Sequence, residues 1–483
     1  MEFETAWTRT WGGSGVDGAT SARIGSDGTI YVAGTSEIGS FTYYDPDLYP
    51  NGAKIKAYDA ILKGFASDGR ELWGQTIRRG NIDVNKSTGI ALGDNNSIYT
   101  SGWTQNEYYM SSYGRPADIR IGRYAVDGTE TWSKCYSSGF YDSIPYPGGG
   151  GDIPDYASDI VAGTRGTVFA AGYTYGNLEG TRNNGGIADY KGPDAFLGKW
   201  SESGEVLWMR LVGTSEGDTA QAVTTDHENA VYITGTTNGN LGKSANSGYS
   251  DVFVSKFSFD GVQAWTQSLG SSARDDATAI ACDDSGFIYV TFRVGGPVQN
   301  DTDLTTPGVY LVKYSPDGTR QWSRLIGGVN ATSVTVSSDR IYVAGDVNGG
   351  LDGQTSIGGK DIFLNEYRLD GEKQWTKLLG TEFDDGAYSA ALGSDGSICI
   401  AGWTAGVPND QQNGQTDAML IKLQKNNASP LDIVANTSAF NENISAGSVV
   451  ASLTTTDPDA GDTFTYALIS GTGDSDNLSL IHI

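Results

Sequence analysis

Val231-Tyr232-Ile233-Thr234-Gly235, then Asp251-Val252-Phe253-Val254-Ser255-Lys256-Phe257, then Asp260-Gly261 and Trp265: this run decides the fold. Apolar and polar residues alternate through Asp251–Phe257, with the aromatic positions on one face and Val and Lys on the other, the period of a β-strand. Asp-Gly between two such runs is a hairpin signal, because glycine accepts the positive φ of a tight turn. Working outward, the Ile-Tyr-Val-Ala-Gly strand occurs seven times, at 30–34, 98–102, 168–172, 231–235, 288–292, 341–345 and 398–402. The next strand also starts seven times, at Asp59, Asp118, Asp194, Asp251, Gly308, Asp361 and Asp417. The Trp strand follows six of these, at Trp73, Trp132, Trp208, Trp265, Trp322 and Trp375. The missing copy lies at the other end of the chain, where Thr5-Ala6-Trp7-Thr8-Arg9 matches Gln374-Trp375-Thr376-Lys377 in register. The count balances only for a closed ring whose N-terminal strand completes the last unit. Closure also removes the sheet edge an open stack would expose. Trp265 and Trp322 are 57 residues apart and Trp322 and Trp375 are 53 apart, which fits four short strands and their turns. The expected fold is all-β, a closed seven-bladed β-propeller with each Trp packed between neighbouring blades.

Composition agrees. The chain has 483 residues with 67 Gly, 26 Tyr and 11 Trp, the make-up of short aromatic strands and tight turns. A formal charge of −26 argues against binding nucleic acid or anionic membranes, which need Lys and Arg to meet phosphate. No apolar run is long enough to span a membrane. The N-terminus, Met1-Glu2-Phe3-Glu4, lacks the pattern of a cleaved signal. Cys135, Cys282 and Cys399 are too far apart for a metal pair and read as small apolar residues, buried or half-buried. His227, in Asp226-His227-Glu228-Asn229, reads as a solvated turn residue. No sequence motif of a hydrolase, metalloprotease or nucleotide-binding fold is present.

The repeat resembles the bacterial seven-bladed β-propeller family of SBBP-type repeats. The resemblance rests on Ile-Tyr-Val-x-Gly-x-Thr and on third-strand openings such as Ser250-Asp251-Val252-Phe253 and Lys360-Asp361-Ile362-Phe363, and it covers residues 4–425. Gly308 and Phe292 depart from it in the fifth unit, and the third carries an insertion from Pro145 to Pro154. The family is mostly extracytoplasmic and has no shared activity, so the resemblance implies a fold and a location more than a chemistry.

The propeller is expected over 1–425, a linker over 426–435 and an incomplete β-sandwich module over 436–483. Phe440-Asn441-Glu442-Asn443 and Thr456-Asp457-Pro458-Asp459-Ala460-Gly461-Asp462 resemble the opening of a cadherin-like module. That resemblance makes Glu442, Asp457, Asp459 and Asp462 the candidate ligands of calcium, the implied cofactor. A full module has about 100 residues, so this one is expected to be truncated.

Two rings of acids recur. One precedes the first strand, with Asp17, Asp155, Asp218, Asp275, Asp385 and, in the second unit, Asn85; the other opens the third strand. A catalytic acid is needed once or twice, whereas a turn brace is needed in every blade, so bracing is the first reading and calcium contact the second. Recognition is assigned to the long loops, with Tyr43, Tyr44, Tyr108, Tyr109 and Tyr141 as ligand-binding candidates for a glycan, a peptide or a cell-surface partner. The expected protein is a monomeric, non-catalytic scaffold, extracellular or on the cell surface, for adhesion or ligand binding. The alternatives are a carbohydrate-active or quinoprotein-like enzyme and an intracellular interaction platform.

Overall fold

The computed structural model describes residues 3–45, 49–78, 84–105, 117–138, 154–178, 192–242, 246–406, 415–425, 432–435, 453–456, 466–470 and 478–482. Contacts divide the chain into residues 5–423 and a second unit made of 1–4 with 424–483. Seven four-stranded sheets follow one another in the order of the sequence, as a seven-bladed β-propeller. Blade 1 comprises Asp17–Ile24, Ile30–Asp45, Tyr49–Phe65 and Glu71–Ile77. Blades 2 to 6 begin with Val84–Leu92, Asp155–Ala162, Asp218–Thr225, Asp276–Cys282 and Asn330–Val336. Blade 7 contains Asp385–Leu392, Ile398–Thr404 and Asp417–Lys425, and its outer edge is the N-terminal strand Phe3–Trp11. The ring closes as the Trp count requires. Among the described residues the one helical element is a 3-10 turn at Asp94–Asn96, and no helix is long and apolar enough to cross a membrane. In the second unit, Asp432–Ala435 pairs with Leu453–Thr456 and Tyr466–Ser470 with Leu478–His482.

One joint recurs at six blade junctions. The indole of Trp208, on the outer strand of blade 3, donates to Phe259 O at 3.3 Å in the hairpin of blade 4. Its ring lies on Gly261, which has φ 78°. The joint recurs with Trp7 on Ser67 O (3.0 Å), Trp73 on Val126 O (3.0 Å), Trp132 on Glu202 O (2.8 Å), Trp265 on Pro316 O (3.1 Å) and Trp322 on Leu369 O (3.3 Å). In three blades the Arg two residues after the Trp lies over the indole and donates Nε to the hairpin glycine carbonyl: Arg9 to Gly69, Arg210 to Gly261 and Arg324 to Gly371. In blades 1 to 6 the Trp meets the buried aromatic of the second strand, as in Tyr232–Trp265 at 6.1 Å and Tyr289–Trp322 at 6.1 Å; blade 7 has Cys399 there.

The hairpin differs from a two-residue turn in one respect. Only the glycine has positive φ; the Asp does not, and its carboxylate accepts the amide two residues on, as Arg70 N to Asp68 at 2.9 Å. In blade 1 Gly69 N donates to Ala66 O at 2.9 Å and Ala66 N to Arg70 O at 2.9 Å, so the connection is a type I turn with a glycine bulge. Cys399 is buried, Cys135 and Cys282 are half-buried, and none of the three is in a disulfide. Burial pushes the Cys399 thiol up to about 12. His227 is exposed in its turn.

Gly261→Ala tests the joint. A Cβ there would fall 2.9 Å from the Trp208 ring at a φ that L-residues avoid. The expected cost is about 2 kcal/mol, read as a lower urea midpoint at unchanged m-value.

Candidate functional site

The two acidic rings meet in pairs at the blade junctions. The third-strand Asp of one blade faces the first-strand Asp of the next, as Asp118 with Asp155, Asp251 with Asp275, Asp361 with Asp385 and Asp417 with Asp17. These carboxylates brace backbone. Asp218 accepts Thr214 N at 2.6 Å, Asp385 accepts Thr381 N at 2.6 Å, and Asp275 accepts Ser271 N at 2.5 Å and Gly295 N at 2.8 Å. On the third strands, Asp251 accepts Ser247 N at 3.1 Å and Asp361 accepts Ile357 N at 2.9 Å. Asp59 is joined by Arg78. Burial raises the Asp155 carboxyl to about 6, with the Asp118 charge adding to it. Burial likewise raises Asp251 to about 6, with Asp275 adding. No group of three or more metal-ligating side chains occurs among the described residues.

The first strands line the central channel, and each carries a bulge at the same place. The extra residues are Thr20, Thr88, Ser158, Gln221, Thr278, Thr332 and Tyr388, one per blade. They form a ring that borders two chambers, a lower one of about 520 Å³ and an upper one of about 530 Å³. Two of them stitch neighbouring blades: Thr88 Oγ1 donates to Ala157 O at 3.0 Å, and Thr332 Oγ1 to Ala387 O at 2.8 Å.

Beside the upper chamber runs a strip of half-buried aromatic rings. Lys86 Nζ lies 4.4 Å from the Tyr58 ring centre and 5.6 Å from that of Trp103. Trp103 meets Tyr156 edge-on at 5.3 Å, Tyr156 meets Tyr173 at 5.0 Å, and Tyr173 meets Tyr175 at 6.3 Å. The strip crosses three blades and ends at Tyr175, which is 36% exposed. Burial lowers the Lys86 ammonium pKa and raises the Tyr173 phenol to about 12, so Lys86 sits in partly desolvated surroundings.

The expected ligand residues are placed unevenly. Tyr43 and Tyr44 lie on a two-stranded extension of blade 1, where Tyr43 pairs with Ala53 in register. The two strands of that extension have 16 and 17 residues, against seven to nine in the other blades, so the ribbon runs on past the blade. Tyr108, Tyr109 and Tyr141 lie outside the described residues, as do Glu442, Asp457, Asp459 and Asp462. The strip was not anticipated. Its signal is the residue after the second-strand Gly, aromatic as Trp103, Tyr173 and, in blade 7 away from the strip, Trp403, where blades 1 and 4 have Thr35 and Thr236.

Residues 207–242 match the family model of the SBBP β-propeller repeat, running from the outer strand of blade 3 through the second strand of blade 4. With the seven sheets, this makes the protein a β-propeller carrying SBBP-type repeat sequence. The chain is 30% identical over 138 residues to the regulatory protein FlaEY of Caulobacter vibrioides, which covers 24% of this chain and 14% of that one. The chain therefore spans well under two thirds of that relative's length. Among solved structures, the Pan2 WD40 domain of Neurospora crassa is similar at 9% identity and TM-score 0.43, over 84% of this chain and 89% of that one. YCF48 bound to D1 peptide is similar at 10% and 0.41, over 89% and 97%. The PQQ-bound aldose sugar dehydrogenase of Streptomyces coelicolor is similar at 11% and 0.35, over 71% and 95%.

The junction carboxylates carry a pH signature. Asp251 is raised in the folded state, so the stability it contributes is full below its unfolded pKa and is lost as pH rises through about 6. Asp251→Asn keeps an acceptor for Ser247 without the charge. From pH 5 to pH 8 the variant should gain about 1–3 kcal/mol on the parent in urea melts.

Proposed function

We propose that the chain is a non-catalytic binding scaffold, working outside the cell or on its surface, with a glycan as the ligand of the aromatic strip. The single observation that carries this reading is the run Tyr58–Trp103–Tyr156–Tyr173–Tyr175 beside the upper chamber. Half-exposed rings offer flat apolar faces for the C–H faces of a sugar, while phenol and indole edges supply hydrogen bonds. A rigid ring of sheets holds such a platform at little entropic cost on binding. The non-catalytic reading is supported by the use of the recurrent carboxylates, which brace backbone amides in blade after blade. The location follows from the resemblance to repeats that are mostly extracytoplasmic. The net charge of −26 suits a neutral or weakly charged partner better than a polyanion. Calcium remains the cation proposed for the acidic tail around Asp457 and Asp459.

A glycan array with the full chain, followed by calorimetry on the best hit, tests the reading. Trp103→Ala and Tyr173→Ala should each weaken binding about tenfold or more, equivalent to at least about 1.4 kcal/mol. Tyr249→Ala, on a side chain 82% exposed elsewhere, should leave it unchanged. Binding that survives both strip variants, but is lost on removing carboxylates such as Asp275, would favour acid–base chemistry instead.

A further inference from the structure

The lower chamber has a wall that is nearly uniform around the ring. The residue after each bulge is Ser21, Gly89, Asp159, Ala222, Ala279, Ser333 or Ser389, so blade 3 alone places a charge there. Two residues further on the series is Arg23, Ala91, Val161, Thr224, Ala281, Thr335 and Ala391, so blade 1 alone carries a cation. Arg23 and Asp159 are the charged side chains lining this chamber among the described residues.

The clamp at position 159 does not need a charge. Ser333 Oγ accepts Ala390 N of the next blade at 3.0 Å, and Ser389 Oγ accepts Ala22 N at 3.4 Å. Asp159 Oδ2 accepts the corresponding Val223 N at 3.0 Å, and Oδ1 takes Ile160 N at 2.8 Å. The carboxylate thus does what a serine hydroxyl does elsewhere, and adds a negative charge to the channel. Gly89 makes room for it, since a Cβ there would fall 3.1 Å from Asp159 Oδ1. Arg23 is fixed to its own wall, with Nη1 donating to Ala22 O at 2.8 Å. The two charges interact electrostatically without forming an ion pair. Desolvation at both works against holding them charged, so the bare channel carries a cost that hydrophobic walls would avoid.

Opposite charges held apart in a cavity complement a ligand that carries both. We infer that the lower chamber is a binding site for a free amino acid with an apolar side chain, its carboxylate on Arg23 and its ammonium on Asp159. The guanidinium keeps Nε and Nη2 for a carboxylate, the geometry that favours Arg over Lys for this contact. The carboxylate keeps lone pairs beyond the two amides it accepts. Ile24, Leu92, Val334, Val336 and Leu392 give the same chamber an apolar lining for the side chain. Its volume of about 520 Å³ lies within the usual range of small-molecule sites. This site is separate from the aromatic strip and stands or falls without it.

The test uses the full chain and free L-amino acids, screened singly by melting temperature and followed by calorimetry. At least one apolar amino acid should raise the melting temperature and bind saturably. Its N-acetyl and methyl-ester forms, each lacking one charge, should bind at least about tenfold more weakly. Arg23→Ala and Asp159→Ser copy residues found at these positions in other blades; each should abolish binding, and the double variant should melt no lower than the parent. No binding by any amino acid overturns the inference, as does equal affinity for the N-acetyl form or binding that persists in both variants. A double variant that melts well below the parent would make the pair structural and also overturn it.

Discussion

The Trp-on-glycine joint between blades is the contact on which the ring depends. An indole can lie flat on the neighbouring hairpin only where no Cβ stands, and only glycine also accepts the turn's φ of about 80° there. Two requirements therefore converge on Gly69, Gly128, Gly204, Gly261, Gly318 and Gly371. The indole N–H fixes the height of one blade against the next, and where Arg9, Arg210 and Arg324 are present the guanidinium adds a second bond to the same turn. Rotation and stagger are thereby set at these six junctions by one outer-strand residue and one turn.

Recurrent junctions make the inside of the ring a repeated surface, and repetition gives departures their meaning. The bulge occurs in every blade, so it belongs to the fold; it brings one side chain per blade to the channel neck. The carboxylate pairs occur at most junctions and hold backbone amides, so they too belong to the fold. Trp103 and Tyr173, by contrast, stand where blades 1 and 4 have threonine, blades 5 and 6 Arg293 and Asp346 and blade 7 Trp403, so this position varies from blade to blade, and Asp159 and Arg23 stand where others have small or apolar residues. None of these four is required by the joint.

Much of the architecture was legible because it is periodic. The strand count, the Asp-Gly turns and the match of Trp7 to Trp375 determine the number of blades and the closure without reference to any contact. The pairing of the acidic rings was harder to see. Asp251 and Asp275 are 24 residues apart and belong to different blades, so their proximity depends on how adjacent sheets abut. Recognition was sought in loop tyrosines because loops usually carry it, whereas the aromatic strip lies on strand ends. Strand aromatics are ordinarily read as core, and Tyr31, Tyr99 and Tyr232 are core; Trp103, Tyr156 and Tyr173 differ only in strand position, which turns them toward the face. Nothing in local periodicity separates the two sets.

The channel shows the same limit more sharply. Arg23 and Asp159 lie 136 positions apart on blades 1 and 3, and no local pattern links them. Their relation exists because the ring has closed, turning seven separate first strands into one wall. A closed propeller can place charges from distant repeats around a small volume while each remains anchored to its own strand, Arg23 by Ala22 and Asp159 by Ile160 and Val223. That anchoring opposes collapse into an ion pair, because bringing the charges together would disturb hydrogen bonds that also hold blade 3 to blade 4. The joints that give the ring its rigidity thus also keep the two charges apart, and a rigid separation of charge is what a flexible loop supplies least well.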